Sequence, residues 1–346
     1  MLDDMNVLRQ RDPGNTRGLA LEVSQQTRFE AIIAGQARSN ESVSQVVIAG
    51  MGGSALAADM IKVLTKGWLH IPLEVVKGYE LPGYVNKQTL VIAISHSGNT
   101  EETISCYDVA RQKGCQLAAV STGGSLLAAA EKDDVVRVVI PSGGQPRMAT
   151  IYHLKALLRI LHHFMVIDTY LYDEVAKAGD WLAECAAKWA AEVPTSQNSA
   201  KQLALKIIGK TPVFYAGELT WPLAYKWKIS LNESSKNVAF WNQYPEFNHN
   251  EFMGWTSHPV EKPFIPIDIR TDLERPRIRE RMELSDRLLS GMRPKAEVIE
   301  LQGDSLLKQL LWGLLLADLT SIYVGILNNV NPGPVLLIEK LKRELS

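Results

Sequence analysis

The sequence predicts an α/β fold with two domains, each a parallel β-sheet flanked by helices. Three observations carry that expectation. The chain has 346 residues, about twice the usual domain length of roughly 100 to 200. Short runs apolar on both faces alternate with helical periodicity, the pattern of strands buried beneath helices. The same strand–helix alternation recurs in the second half.

Taken in order, TRGLALEVSQQTRFEAIIAGQARSN (16–40) spaces Leu19, Leu21, Val23, Phe29, Ile32 and Ile33 as one helix. SQVVIAGMGGSALAADMIKVL (44–64) is an apolar run, a glycine turn and a small-residue helix, and the order repeats at 90–113. LEVVKG (73–78), LAAVST (117–122) and VVRVVIP (135–141) are further buried strands. A helix-rich stretch from Ala149 to about Lys210 separates this unit from a second, which divides the chain into domains 1–170 and 171–346. In the second, PVFYAG (212–217), KPFIPIDI (262–269) and AEVIEL (296–301) read as strands, with helices near 219–232, 273–290 and 305–327. The second unit reads as a degenerate copy of the first whose strand exits, AGELT and DIRTD, lack the glycine and serine cluster.

Hydrophobic residues make up 46 % and charged residues 22 %, an ordinary globular composition. A net charge of −1 provides no basic field for nucleic acid or anionic lipid. Three scattered cysteines, Cys106, Cys115 and Cys185, make neither a disulfide framework nor a metal spacing and suit a reducing cytoplasm. The N-terminal MLDDMNVLRQRDPG has no apolar core of a secretory signal. LLKQLLWGLLLADLTSIYVGIL (306–327), interrupted by Lys308, Gln309, Asp318, Thr320 and Ser321, reads as a buried helix rather than a membrane span.

Chemistry concentrates in two loops, GMGGS (50–54) and SHSGNT (95–100), each leaving an apolar strand and opening a helix. In open parallel sheets ligands sit beyond the carboxyl ends of the strands, where helix N-termini aim free N–H groups. Gly50, Gly52, Gly53 and Gly98 allow tight turns and close approach; Ser54, Ser95, Ser97 and Thr100 add hydroxyls. That many neutral donors with two helix dipoles suits a phosphate without any lysine. The competing reading is helix capping by Ser and Thr, but a cap needs one hydroxyl and SHSGNT offers three. Gly50, Gly52 and Ala55 also fit a loose dinucleotide fingerprint, yet no acid ends the next strand: Glu74 lies within it and Glu80 is displaced. His96 stands inside the second loop, expected by alternation to point away from Ser95 and Ser97, and carries no catalytic assignment. His70, His153, His162, His163 and His258 show no partner pattern.

GMGGSALA, SHSGNTEET, PRMA (146–149), LNESSK (231–236), FNHNE (247–251) and PVLLIEKLK (334–342), in this order, resemble the bifunctional phosphoglucose/phosphomannose isomerase family of the sugar isomerase (SIS) superfamily. The resemblance implies two SIS domains, flavodoxin-like αβα sandwiches of about five strands each. It also implies a cytoplasmic homodimer with a composite active site at the domain and subunit interface. The activity implied is metal- and cofactor-independent interconversion of fructose 6-phosphate with glucose 6-phosphate and mannose 6-phosphate, in glycolysis and gluconeogenesis. By the same resemblance Ser54, Ser95, Ser97 and Thr100 hold the 6-phosphate. Glu233 is the base, His249 opens the ring, Arg147 stabilises the enediolate and Lys340 contacts substrate. The family commonly has threonine where this chain has Gly333, which opens space and removes a hydroxyl near substrate C1 and C2.

The chemistry wants these groups. A carboxylate can move a proton between adjacent carbons through a cis-enediol, a fixed cation stabilises the enediolate oxygens, and histidine titrates in the range for ring opening. Each also has a plainer reading: Glu233 solvated at a helix end, Arg147 a surface charge, Lys340 a base of the last helix, His249 a helix cap. His249 and Glu251, two apart, do not make a metal pair. A non-catalytic SIS module that senses a phosphosugar is the alternative function.

Overall fold

The computed structural model describes residues 1–39, 41–257 and 263–345; Asn40, His258, Lys262 and Ser346, named in the expectations above, lie outside the described residues. Two compact units emerge, one formed by Val23–Asp180 and the other by Met1–Glu22 with Trp181–Ser346. The division at 170/171 expected from the sequence leaves the first 22 residues with the N-terminal half. They join the second unit because their polar groups find partners there. Asp3 accepts from Lys201 Nζ at 2.9 Å and Thr195 Oγ1 at 2.8 Å, and Arg11 Nη1 donates to the Ile326 carbonyl at 2.6 Å. The Tyr170–Lys177 helix instead stays with the first unit, where the Tyr172 hydroxyl receives the Ala31 N–H at 3.0 Å.

In the first unit, strands β1 (Gln45–Gly50), β2 (Leu73–Val76), β3 (Thr89–Ile94), β4 (Gln116–Ser121) and β5 (Val136–Val139) form one parallel sheet in the order β2-β1-β3-β4-β5. β1 and β3 are buried on both faces. Val47, Ala49, Val91, Ala93, Leu117 and Ala119 share a core cluster with Cys106, Tyr107 and Ala110 of the Glu101–Gln112 helix. The opposite face is covered by the Gly52–Thr65 and Thr150–His163 helices. The single helix expected over 16–40 is two short ones, Thr16–Leu21 and Val23–Arg28. Beyond them the chain runs beside β5, pairing Ala34 with Arg137 and Gln36 with Val135; left-handed Gly35 lies against the Val135 carbonyl and ends any helical continuation.

The second unit holds β6 (Thr211–Ala216), β7 (Phe240–Gln243), β8 (Phe264–Arg270) and β9 (Glu297–Glu300), parallel, in the order β7-β6-β8-β9. Its order repeats the first four positions of the other sheet. Among the described residues four strands stand where the resemblance implied about five, and β7, a short FWNQ strand that is not fully buried at any position, is absent from the sequence expectation. The Leu306–Leu327 helix has the length and hydropathy of a membrane span, but 83 % of its most apolar window is buried. Its Asp318 pairs with Lys226 Nζ at 2.6 Å.

Candidate active site

Because β1 leads outward to β2 and the chain then crosses back to β3, the carboxyl ends of β1 and β3 form the topological switch point of the first sheet. Gly50 pairs with Ile94 there, so GMGGS and SHSGNT are neighbours. Neither helix that follows is capped by a side chain: Met51 and Thr100 occupy the N-cap positions without a side-chain hydrogen bond. The helix-capping reading of the hydroxyls therefore fails, and the initial N–H groups remain oriented for an external anion.

The hydroxyls instead bond one another. Ser95 Oγ lies 2.7 Å from Thr100 Oγ1 and accepts the Gly98 N–H at 3.0 Å; Ser97 Oγ accepts the Asn99 N–H at 3.3 Å. Ser54 Oγ accepts the His96 N–H at 3.2 Å, tying the first loop to the second. Ser54 and Ser95 are buried and Ser97 is exposed. Glycine is needed at two of the predicted positions. Gly98 has φ +71° and sits against the Gly123 carbonyl, while a Cβ on Gly53 would lie 2.8 Å from both N and Cα of Arg147. Gly52, at φ +50°, makes the turn into its helix.

A third loop has no counterpart in the sequence expectation. STGGS (121–125) leaves β4 beside SHSGNT: the His96 carbonyl accepts Thr122 N at 3.1 Å and Thr122 Oγ1 at 2.8 Å, and Asn99 Oδ1 accepts the Ser125 N–H at 2.9 Å. Its paired glycines after an apolar run are the signal that could have found it. Arg147, on the Pro146–Met148 turn, is fully buried rather than a surface charge. His96 turns inward, its ring 5.4 Å centroid to centroid from that of buried His153. Burial lowers the pKa of both imidazoles, that of His153 to about 3.

In the second unit the corresponding exit is already filled. The Glu274 carboxylate accepts the Leu219 N–H at 3.3 Å beneath Gly217, occupying with a built-in anion the kind of place the first unit leaves open. Glu233 is half-buried on a π-helical turn, Leu231–Ser235, seated against Gly325, where a Cβ would lie 2.6 Å from the Ser234 carbonyl. Lys236 Nζ donates to the carbonyls of Glu233 (2.7 Å), Asn331 (3.0 Å) and Pro334 (2.8 Å), so Glu233 and the Gly333 loop are latched together. They border a cleft of about 710 Å³ whose walls include Phe240 and Leu336–Ile338. Gly333 does not simply open space: Thr16 Oγ1 lies 3.1 Å from where its Cβ would be. Lys340 is exposed on the Leu336–Leu345 helix, 3.6 Å from Glu344.

His249 is exposed at the end of the Glu246–His249 turn, and its flanks are pinned. Asn248 bonds Ser285 Oγ at 2.8 Å, and the Glu251 carboxylate receives the Tyr215 hydroxyl and Asn242 Nδ2 (2.8 Å). Asn250, not His249, caps the Glu251–Gly254 turn. Both Glu251 oxygens are engaged structurally, and among the described residues no group of three His, Cys, Asp or Glu is disposed to hold a metal.

Comparison with known proteins agrees with this layout. The SIS domain family model matches residues 41–143, and the model described as the bacterial phospho-glucose isomerase C-terminal SIS domain matches 196–345. A bifunctional phosphoglucose/phosphomannose isomerase of Caldicellulosiruptor bescii is 36 % identical over 308 residues, 88 % of this chain and 91 % of that protein. One from Aquifex aeolicus is 31 % identical over 301 residues, covering 87 % and 90 %. A glucose-6-phosphate isomerase-like protein from Thermus thermophilus shares the fold, with a TM-score of 0.64 at 18 % identity over 99 % of this chain and 98 % of that one. Two SIS domains in one chain are what this kinship leads one to expect, and the chain belongs to the bifunctional phosphoglucose/phosphomannose isomerase family.

Proposed function

We propose that the protein interconverts fructose 6-phosphate with glucose 6-phosphate and mannose 6-phosphate, as a cytoplasmic homodimer and without metal or cofactor. The observation that carries this reading is the hydroxyl-lined switch point of the first unit, whose two helices start without side-chain caps. Ser54, Ser95, Ser97 and Thr100, with the backbone at Gly52, Gly53 and Gly98, hold the 6-phosphate. Glu233 moves the proton between C2 and C1 through a cis-enediol, Arg147 stabilises the developing oxyanion, His249 shuttles protons in ring opening and Lys340 contacts the sugar. Gly333 and Thr16 together set the room beside C1 and C2. The phosphosugar sensor is the weaker reading, because a sensor needs no carboxylate set on a π-turn and latched to a cleft.

The test is to mix purified protein with fructose 6-phosphate and a chelator and follow products by NMR. Both aldose phosphates are expected. Phosphosugar binding without any product would favour the sensor, and activity restored only by added zinc would overturn the metal-free reaction. Glu233→Gln is expected to cut kcat by roughly 10²–10⁴-fold while binding of fructose 6-phosphate, by calorimetry, stays near wild type.

A further inference from the structure

His96 is a residue that neither the fold nor the proposed reaction accounts for, yet its peptide touches every loop of the cradle. Its N–H donates to Ser54 Oγ of the β1 loop at 3.2 Å, and its carbonyl accepts both Thr122 N and Thr122 Oγ1 of the β4 loop. Its ring leaves the cradle and enters the interior. There Nδ1 meets His153 Nε2 at 3.3 Å, and the Gly143 main chain hydrogen-bonds the ring in the sense that favours protonation, as a carbonyl acceptor does.

These partners fix the tautomers by the hydrogen-bond network. Donation of a ring N–H of His96 to the Gly143 main chain leaves its Nδ1 lone pair to accept from His153 Nε2–H. His153 Nδ1 is left as a bare lone pair, in keeping with its having no hydrogen-bond partner in the interior. The opposite assignment, with His96 Nδ1 donating to His153 Nε2, would bury an unsatisfied N–H on His153 Nδ1, a costlier arrangement. Gly143 lies four residues before Arg147 and His153 six after it, so one imidazole grips both flanks of the Arg147-bearing turn.

We propose that His96 and His153 are positioning residues, a hydrogen-bond chain that registers the Arg147 turn against the phosphate cradle. This rests on the reading that the first unit's loops take a phosphate. Without the chain, the His96 peptide loses its fixed orientation and the three loops lose their common anchor.

The test uses full-length His153→Leu, which keeps apolar bulk but removes the donor, and His153→Gln, which returns an N–H near the Nε2 position. Each is measured for its thermal midpoint, for the Kd of inorganic phosphate by calorimetry, and for kcat and KM with fructose 6-phosphate. For His153→Leu, phosphate Kd and KM should rise together by about tenfold, the loss of roughly one well-placed hydrogen bond, with a smaller fall in kcat. Its thermal midpoint should fall only slightly, because the unpartnered His153 Nδ1 leaves with the ring and offsets the buried His96 Nδ1 that loses its donor. His153→Gln should recover most of the phosphate affinity. A folded His153→Leu with wild-type phosphate affinity overturns the proposal, as does His153→Gln binding no better than His153→Leu. If His153→Leu does not fold, His96→Leu serves, with the same weakening expected and the same reversal counting against it. A wild type that binds phosphate but makes no aldose phosphate would sink the isomerase reading while the affinity ratios still decide this inference; a wild type that binds no phosphate overturns both.

Discussion

Glycine at position 53 is a steric requirement that follows from one neighbour. A methyl group there would lie 2.8 Å from the backbone of Arg147, which has no flexible side-chain atom to yield, so the turn itself must move. Gly53→Ala should therefore cost about 1–3 kcal/mol of stability, as overpacking does, and raise KM for fructose 6-phosphate at least tenfold. Denaturant unfolding and steady-state kinetics read the two effects; unchanged kinetics would show that the Arg147 turn can shift without consequence for the cradle. At Gly98 two penalties coincide, a left-handed φ and the Gly123 carbonyl, which is why the SGNT turn tolerates no side chain there. Glycine in these loops was legible in the sequence. The partner that makes each one necessary, Arg147 or Gly123, was not.

Among the elements, the Leu231–Ser235 turn shows how a loop becomes a rigid platform. A π-helical turn leaves its carbonyls out of ordinary helical register, and the Lys236 ammonium, at a left-handed residue, supplies its three donors to three carbonyls from two segments. Arginine's planar fork cannot converge on three points set around one nitrogen. Both Lys236→Met and Lys236→Arg are expected to release the 331–334 loop, lowering stability by about 1–2 kcal/mol and lowering kcat. Hydrogen exchange at residues 331–338 should rise in both; an arginine variant with wild-type kcat and exchange would show that charge alone suffices. The two SIS domains differ in the same terms, since one leaves its β1/β3 exit lined by hydroxyls and the other fills the β6/β8 exit with the Glu274 carboxylate.

Across the whole molecule, acid should act on the two units in opposite senses. His153 is neutral in the fold, its pKa driven down to about 3 first by burial and then by His96, against a reference of 6.5. Unfolding takes up a proton below 6.5, so this stabilisation is complete above pH 6.5 and is lost as pH falls toward 3, with a ceiling of roughly 5 kcal/mol. Asp268, buried within strand β8 of the second sheet, is pushed up to about 6 by desolvation, with Arg270 and Arg293 pulling the other way. Its contribution is complete below pH 3.8 and declines as pH rises through 6. Between pH 6.5 and 4 the Val23–Asp180 unit should therefore weaken first. Trp68 is the single tryptophan of that unit among eight in the chain, so helical signal by circular dichroism should fall at a higher pH than the bulk tryptophan fluorescence changes. His153→Leu should bring the two midpoints together, and coincident transitions in the wild type would contradict the assignment.

What the sequence determined by itself were the features written in adjacent residues. Apolar runs of strand length set the parallel sheets, and glycine with serine at strand exits set the phosphate-type loops. The motif order from GMGGS to PVLLIEKLK set the family, because period, turn chemistry and spacing are local properties. Tertiary structure decided which distant groups meet. It joined the first 22 residues to the second unit through Asp3 and Arg11, and brought the STGGS loop beside SHSGNT. It also buried Arg147, closed the second switch point with Glu274 and turned His96 inward onto His153. Each outcome depends on burial and on register between segments dozens to hundreds of residues apart. There the need to partner every buried polar group, rather than any local pattern, selects the contact.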